Sequence, residues 1–391
     1  MTNALFTTSS AVRPSYAKPD MSLIIGTFYF FYFALIGVHI IFVPKILSMV
    51  GYNAMDIGII FASAPLVRFI VPFLFLKGFK LDHKAFIAAL ILMVLGAIAF
   101  YPALTSFWPL LISNIVFGIG ISLLLPYIEV IALEHIGKES YGKIRLFGSL
   151  GFIAVALVLV RYLDEPKIGI DFLIAMALAT SILGALIGSL ENKKNAATLE
   201  ITENIHAFNP LAHLGLWIGF LLMQVSFGPF YNFFTIYATD HGISLNMTVW
   251  LWSFGVVVEI LMFYFQGPLL RTNLYRLLQL TAFFTALRWL IVAAFPDNIT
   301  LLFVSQSLHA LSFALFHTVS ISILFSLYGA KRLAQQFFFG ISYGLGGFLG
   351  ALGSGILYQY APSWLFIGGA VAAFGAVIAF GIHRKHLRQA V

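Results

Sequence analysis

Four ionisable side chains stand where ionisation is costly. Glu259 lies in W-L-W-S-F-G-V-V-V-E-I-L-M-F-Y-F, Arg288 in A-L-R-W-L-I-V, and His309 and His317 in Q-S-L-H-A-L-S-F-A-L-F-H, each inside a long apolar run. Arg68 holds a comparable place in A-P-L-V-R-F-I-V-P-F-L-F. A charge at the centre of a bilayer costs roughly 2.5–3.5 kcal/mol on insertion scales, so such groups face partners or a water-filled path. The chemistry they offer is specific. A carboxyl can take and release a proton, a guanidinium can fork onto a carboxylate, and an imidazole can relay a proton or hydrogen-bond a ligand. For Glu259 the alternatives are a proton-carrying role and a structural ion pair with Arg68 or Arg288. His309 and His317 are eight residues apart, roughly 80° around a helix. A zinc site needs three or four ligands, and no further His or Cys is placed to help, so no metal and no cofactor are expected.

The elements that carry these residues must span a membrane. Of the 391 residues, 61% are hydrophobic and 9% are charged, against about 25% charged in an ordinary soluble domain. Twelve apolar runs near 20 residues predict transmembrane helices at about 22–44, 57–77, 85–103, 109–133, 143–163, 170–190, 212–238, 247–268, 276–296, 299–326, 334–358 and 363–383. The fold class is an all-α integral membrane protein. The polar stretch E-N-K-K-N-A-A-T-L-E-I-T-E-N-I-H divides it into a six-helix bundle at 1–190, a cytoplasmic linker at 191–209 and a second six-helix bundle at 210–391.

Charge sets the orientation. With both termini inside, sixteen of the 22 Lys and Arg fall in cytoplasmic loops, three lie outside, and Arg68, Arg145 and Arg288 lie in or at the ends of spans. The net charge of +7 therefore reads as positive-inside loops, not as a nucleic-acid surface. The polar N-terminus shows no cleaved-signal pattern. A multi-pass protein of the inner membrane is expected, as a monomer. The halves resemble each other weakly: Arg68 and Glu259 occupy matching places, and spans 3 and 9 both end in an aromatic followed by Pro. Six plus six helices with related halves is the plan of a transporter whose site lies near the midplane.

Other classes fit less well. An intramembrane enzyme would need a nucleophile–base set or a metal motif such as H-E-x-x-H, and a channel would need a ring of like residues or a filter loop. The sequence has neither. No G-x-x-x-x-G-K-[ST] loop is present, so ATP is not the direct energy source and an ion gradient is left.

The chain resembles the major facilitator superfamily, in the proton-symporter branch that includes lactose permease and the phenylpropionate transporters. The likeness rests on Y-G-K-I-R-L-F-G-S-L-G-F at 141–152, L-W-S-F-G-V-V-V-E at 251–259, L-R-W at 287–289, Q-S-L-H-A-L-S-F-A-L-F-H at 306–317, and, for the phenylpropionate branch, L-V-R-F in span 2. The superfamily loop after span 2 is degenerate here; F-L-K-G-F-K-L-D-H-K keeps Gly78 and Asp82. The resemblance implies that Glu129 and Arg145 form a substrate-binding pair, that Glu259 links substrate to proton, and that Arg288 and His309 match the branch's span-9 Arg and span-10 His. Ser312 stands where the branch has a proton-carrying Glu, and Gln306 where it has a Lys. Proton coupling is accordingly assigned to Glu259, with His309 and Glu129.

Counting along the helices alone places Glu129 and Arg145 near the cytoplasmic surface. Pro126 should free a backbone carbonyl and kink the helix before Glu129. Three Arg (68, 145, 288) against two Glu (129, 259) leave one positive charge for a substrate anion to offset. Tyr29 and Tyr32 in span 1 share a helix face, as do Phe227, Phe230 and Tyr231 in span 7. With Asn232 and Trp252 they are candidates for lining a pocket for a planar substrate, beside His309 and His317; packing against lipid and neighbouring helices is the alternative. The substrate expected is a small organic monocarboxylate, with a neutral sugar or nucleoside as the second reading. The other partners expected are the proton and the lipid bilayer.

Overall fold

The computed structural model describes residues 20–136, 138–191 and 208–389. The polar N-terminus and nearly all of the 191–209 linker lie outside the described residues. Among the described residues, twelve helices are long and apolar enough to cross a membrane: α1 (Met21–Val50), α2 (Ala54–Leu76), α3 (His83–Ala103), α4 (Phe107–Ile136), α5 (Gly142–Leu159), α6 (Pro166–Glu191), α7 (Pro210–Asp240), α8 (Leu245–Phe265), α9 (Leu274–Ala294), α10 (Ile299–Leu327), α11 (Lys331–Tyr360) and α12 (Pro362–Lys385). Helices are the form in which a backbone in lipid satisfies its own polar groups.

The ends of these helices are written in short polar signals. Asp20, Asn53, Asp82, Ser244, Asn273 and Asn298 each accept a backbone N–H of the first turn that follows them. Three glycines, Gly51, Gly78 and Gly242, take left-handed φ values of 105°, 87° and 83°. Gly51 and Gly242 hold the same place in the two halves, each two residues ahead of the N-cap of the next span. Gly78 and Asp82, the survivors of the degenerate loop, end α2 and cap α3.

Within the first half α1 packs on α5 and α6, and α4 on α3 and α2; within the second, α12 packs on α9 and α7, and α8 on α10. The halves meet along α2–α11, α5–α8 and α1–α7. On α2 and α11 the backbones touch: a Cβ on Gly58 would lie 2.8 Å from the Ala351 carbonyl oxygen, and one on Gly355 would lie 2.9 Å from that of Ala54. Lys45 Nζ donates to Thr239 Oγ1 at 2.9 Å, and the Ala54 N–H donates to Gln359 Oε1 at 3.1 Å. Both bonds join the halves at the end of the bundle where α1 turns into α2.

Three spans change pitch. Val38–Phe42 in α1, Ala310–Leu315 in α10 and Phe339–Gly346 in α11 are π-helical. Such widened turns recur at functional sites. Here they fall beside His39, between His309 and His317, and around Tyr343.

Candidate functional site

The deepest charge is Arg288 on α9, whose side chain is wholly buried. Its Nη1 donates to His309 Nδ1 at 2.8 Å and to Ser312 Oγ at 3.1 Å, and its Nη2 donates to Gln306 Oε1 at 2.8 Å. The guanidinium carbon lies 4.4 Å from the ring centroids of Phe230 and of Trp289. Charge-assisted hydrogen bonds contribute roughly 1.5–3 kcal/mol each and cation–π contacts up to about 2 when desolvated. Together they offset the several kcal/mol lost on burying the ion. Arg288 is thus held by neutral partners, and Glu259 is not one of them.

Glu259 on α8 faces His309 instead, with Oε2 3.5 Å from Nε2. The direction of the chain follows from the chemistry of the donors. A guanidinium only donates, so His309 Nδ1 accepts, and the hydrogen of the neutral ring sits on Nε2, aimed at the carboxylate. The order is Arg288, His309, Glu259. Glu259 is partly accessible and His309 nearly buried, with side chains 15% and 8% exposed. Phe313 stacks on His309 at 5.2 Å, and Phe227 and Phe230 flank it at 6.3 and 5.9 Å.

In the first half the charges are less enclosed. Arg145 Nε is 4.0 Å from Glu129 Oε1, with side chains 31% and 29% exposed. The Arg145 guanidinium lies 4.0 Å over the Phe33 ring and 5.3 Å from that of Tyr29, and within electrostatic reach of Glu259 and His317. It therefore reaches deeper than counting along α5 placed it. Counting gives the height of a Cα, whereas an Arg stem laid on an aromatic ring carries its charge several ångströms further. Arg68 is half-buried and has no hydrogen bond or ion pair to another described residue; Tyr32, Tyr343 and Tyr231 lie within its electrostatic reach.

The remaining candidates divide. Tyr29 is buried, and Tyr32, also buried, donates from its hydroxyl to the Ile121 carbonyl at 3.0 Å, in the turn of α4 that Pro126 interrupts. Asn232 donates to the Gly228 carbonyl one turn back at 2.7 Å, and Trp252 Nε1 donates to Thr235 Oγ1 at 3.1 Å with its ring 4.1 Å from Phe230. These polar atoms are engaged inside the protein, and the side chains serve as packing for the aromatic wall. Tyr231, half-buried, stacks on Phe227 at 5.4 Å. His317 Nδ1 pairs with the Tyr343 hydroxyl at 3.0 Å, about two turns from His309.

Sequence reasoning missed Tyr343, and it missed Gln306 and Ser312 as partners of Arg288. The latter had a signal: residues 306, 309 and 312 recur every three positions and share one helix face. Tyr343 carried none, since a tyrosine within a Gly-rich span has no charge to mark it. Among the described residues no group of three metal-ligating side chains occurs.

Two six-helix halves that meet along α2–α11, α5–α8 and α1–α7 make up a multi-pass membrane transporter, not an enzyme. A model of the MFS_1 like family matches residues 23–368, and the chain belongs to that family. It is 27% identical over 365 residues to an Escherichia coli (strain K12) protein named "Probable 3-phenylpropionic acid transporter", covering 89% of this chain and 94% of that one. Its fold is similar to that of the nucleoside transporter NupG, with a TM-score of 0.74, 17% identity, and coverage of 94% of this chain and 99% of that one. It is also similar to the POT family transporter PepTSo, with a TM-score of 0.74, 10% identity, and coverage of 94% and 97%.

Proposed function

We propose that this transporter carries a small organic monocarboxylate bearing an aromatic ring, together with a proton, by alternating access between two halves that act as rigid bundles. The observation that carries the reading is the surplus of guanidinium over carboxylate among Arg68, Arg145, Arg288, Glu129 and Glu259. Glu129 answers Arg145, and Glu259 faces a neutral imidazole. Arg288 is wholly buried in this state, with Nη1 and Nη2 held by neutral partners and Nε without a hydrogen-bond partner among the described residues. Arg68 is the guanidinium left for a substrate carboxylate, with Tyr231 and Tyr343 beside it and the part-exposed Phe313 offering a ring face. The name of the 27% identical relative agrees with this chemistry.

Glu259 carries the coupled proton, and His309 reports its state: a hydrogen on His309 Nε2 can be given to an ionised Glu259 but has no acceptor once the carboxyl is protonated on the facing oxygen. The Glu129–Arg145 pair sustains a second reading. A carboxylate and a guanidinium at 4.0 Å, both part exposed, suit the hydroxyls of a neutral sugar or nucleoside.

Calorimetric titration of the purified protein with 3-phenylpropionate and with its amide separates the two. The acid is expected to bind, the amide weakly, and Arg68→Gln to weaken the acid by roughly 10–150-fold, the loss of one charge-assisted contact. Equal affinity for acid and amide, or tight binding of an uncharged sugar that depends on Glu129, would overturn the reading.

Both termini are placed in the cytoplasm, the protein in the inner membrane as a monomer, and the Lys45–Thr239 end outside. The cysteine-free chain makes the topology directly testable. Gly51 is unsuited to a label because its φ is 105°. Asp297→Cys and Thr272→Cys are exposed sites at opposite ends. An impermeant maleimide applied from outside is expected to mark the first and spare the second, and the reverse pattern would invert the model.

A further inference from the structure

The linker between the halves re-enters the described residues at Phe208, two residues ahead of α7, and it is docked there. The half-buried Phe208 ring lies 4.9 Å from the rings of Tyr328 and Phe337 and 5.9 Å from that of Trp217. Tyr328, at the end of α10, is the hub. Its hydroxyl accepts from Trp217 Nε1 at 3.0 Å and donates to the Asn209 carbonyl at 3.4 Å. Ring and backbone of the linker end are thus both held on the second half. Phe337 on α11 has a further neighbour. Its ring lies 5.4 Å from that of Phe73 on α2, edge to face, across the boundary between the halves. The two helices are close at this level: a Cβ on Gly340 would come 2.7 Å from Pro72 Cγ. Phe337 is therefore gripped from two sides, by the linker end and by the opposite half. Phe73 is 40% exposed, so parting the two rings uncovers little core.

We propose that Phe208 is a strut: docked, it holds Phe337 where it meets Phe73, and so favours the state in which α2 and α11 touch at the linker end. This inference rests on the alternating-access reading above. The physical reason is packing. Interiors are as dense as crystals of small organic molecules, and a ring keeps its place while every side of it is filled. With Phe208 withdrawn, the space beside Tyr328 and Trp217 opens to the Phe337 ring, which turns into it and leaves Phe73. One edge-to-face pair is enough to tilt an equilibrium between two states of similar free energy. The linker end is then a working part of the gate and not only a covalent tether. Phe208 acts through Phe337, as a positioning residue.

The test uses the full cysteine-free chain in lipid nanodiscs, spin-labelled at Lys84→Cys and Thr272→Cys, exposed sites on opposite halves at the linker end. Pulsed electron resonance reads the distance between the labels. Two populations are expected, one short and one long. Phe208→Ala is expected to raise the ratio of long to short about 5-fold, the equivalent of about 1 kcal/mol. Tyr328→Phe keeps the ring and removes both hydrogen bonds of the hub; it is expected to shift the ratio the same way, about 3-fold. Phe73→Ala is expected to raise the ratio as well, and adding Phe208→Ala to it to change nothing further, because the strut acts only through the ring pair. Full additivity of those two substitutions would overturn the proposal, since a general loosening of the protein adds and a strut does not. Two populations that ignore both Phe208→Ala and Tyr328→Phe would strike the strut alone. A single unchanged distance in every variant would strike the strut and the alternating-access reading together.

Discussion

Each half of the transporter buries a histidine, and the two are used differently. His39 on α1 has Nε2 3.0 Å from Asn114 Oδ1, and the Asn114 amide donates to the Ile60 carbonyl at 2.6 Å and to Ser63 Oγ at 2.9 Å. Every group in that cluster is neutral, and it ties α1, α2 and α4 together. His309 on α10 sits between a buried cation and a carboxylate. The charges of the first half, Arg68, Glu129 and Arg145, stand at the part-exposed wall. Two charges at 4 Å interact by about 1 kcal/mol in water and about 4 at an effective dielectric of 20. A proton gained or lost therefore changes far more energy in the second half. On the proposed reading, the first half presents charge to a solute and the second responds to a proton.

The comparison breaks most sharply at Glu259. Glu259→Gln keeps the size of the side chain and removes its charge. It is expected to abolish uphill uptake of the acid into proteoliposomes under a proton gradient, while counterflow exchange of the acid continues. Accumulation by the Gln variant at the wild-type rate would move the coupling role elsewhere.

Arg288→Gln probes whether the buried cation is a scaffold. His309 Nδ1, Ser312 Oγ and Gln306 Oε1 all lose their donor. Removing one partner from a buried charged network costs roughly 3–5 kcal/mol, so thermal unfolding of the purified protein should shift markedly. Arg68→Gln should leave the unfolding curve within about 0.5 kcal/mol of wild type, as for a side chain with no described partner. Equal destabilisation by the two substitutions would erase the distinction drawn between them.

The smallest effect on coupling is expected in the neutral cluster. Asn114→Ala leaves the His39 ring without its partner, while the Ile60 carbonyl keeps Ser63 Oγ as a donor at 2.7 Å; the cost is roughly 1–3 kcal/mol. Stability should fall, whereas the number of protons moved per substrate, measured from pH change and uptake together, should stay the same. A changed stoichiometry would make His39 part of the coupling path.

Much of this was legible before the fold was known, and the reason is local. The cost of an unsatisfied backbone in lipid is met within each helix, so hydropathy alone marked the twelve spans. The cost of an intramembrane charge is likewise a property of its own position, so Arg68, Glu259, Arg288 and His309 stood out one by one. Partnership is a property of two helices at once. Helical periodicity relates residues on one span, as 306, 309 and 312 are related, and is silent about which neighbour that face meets. Only the packing of α9 against α10 set Arg288 on His309 rather than on Glu259. Only the packing of α10 against α11 brought Tyr343 to His317. The depth of Arg145 was decided by the ring of Phe33 on another helix. The sequence by itself determined which residues had to find partners, because burial in lipid penalises each of them separately. The tertiary structure decided which partner each one found, because a contact made across helices depends on geometry that neither segment contains alone.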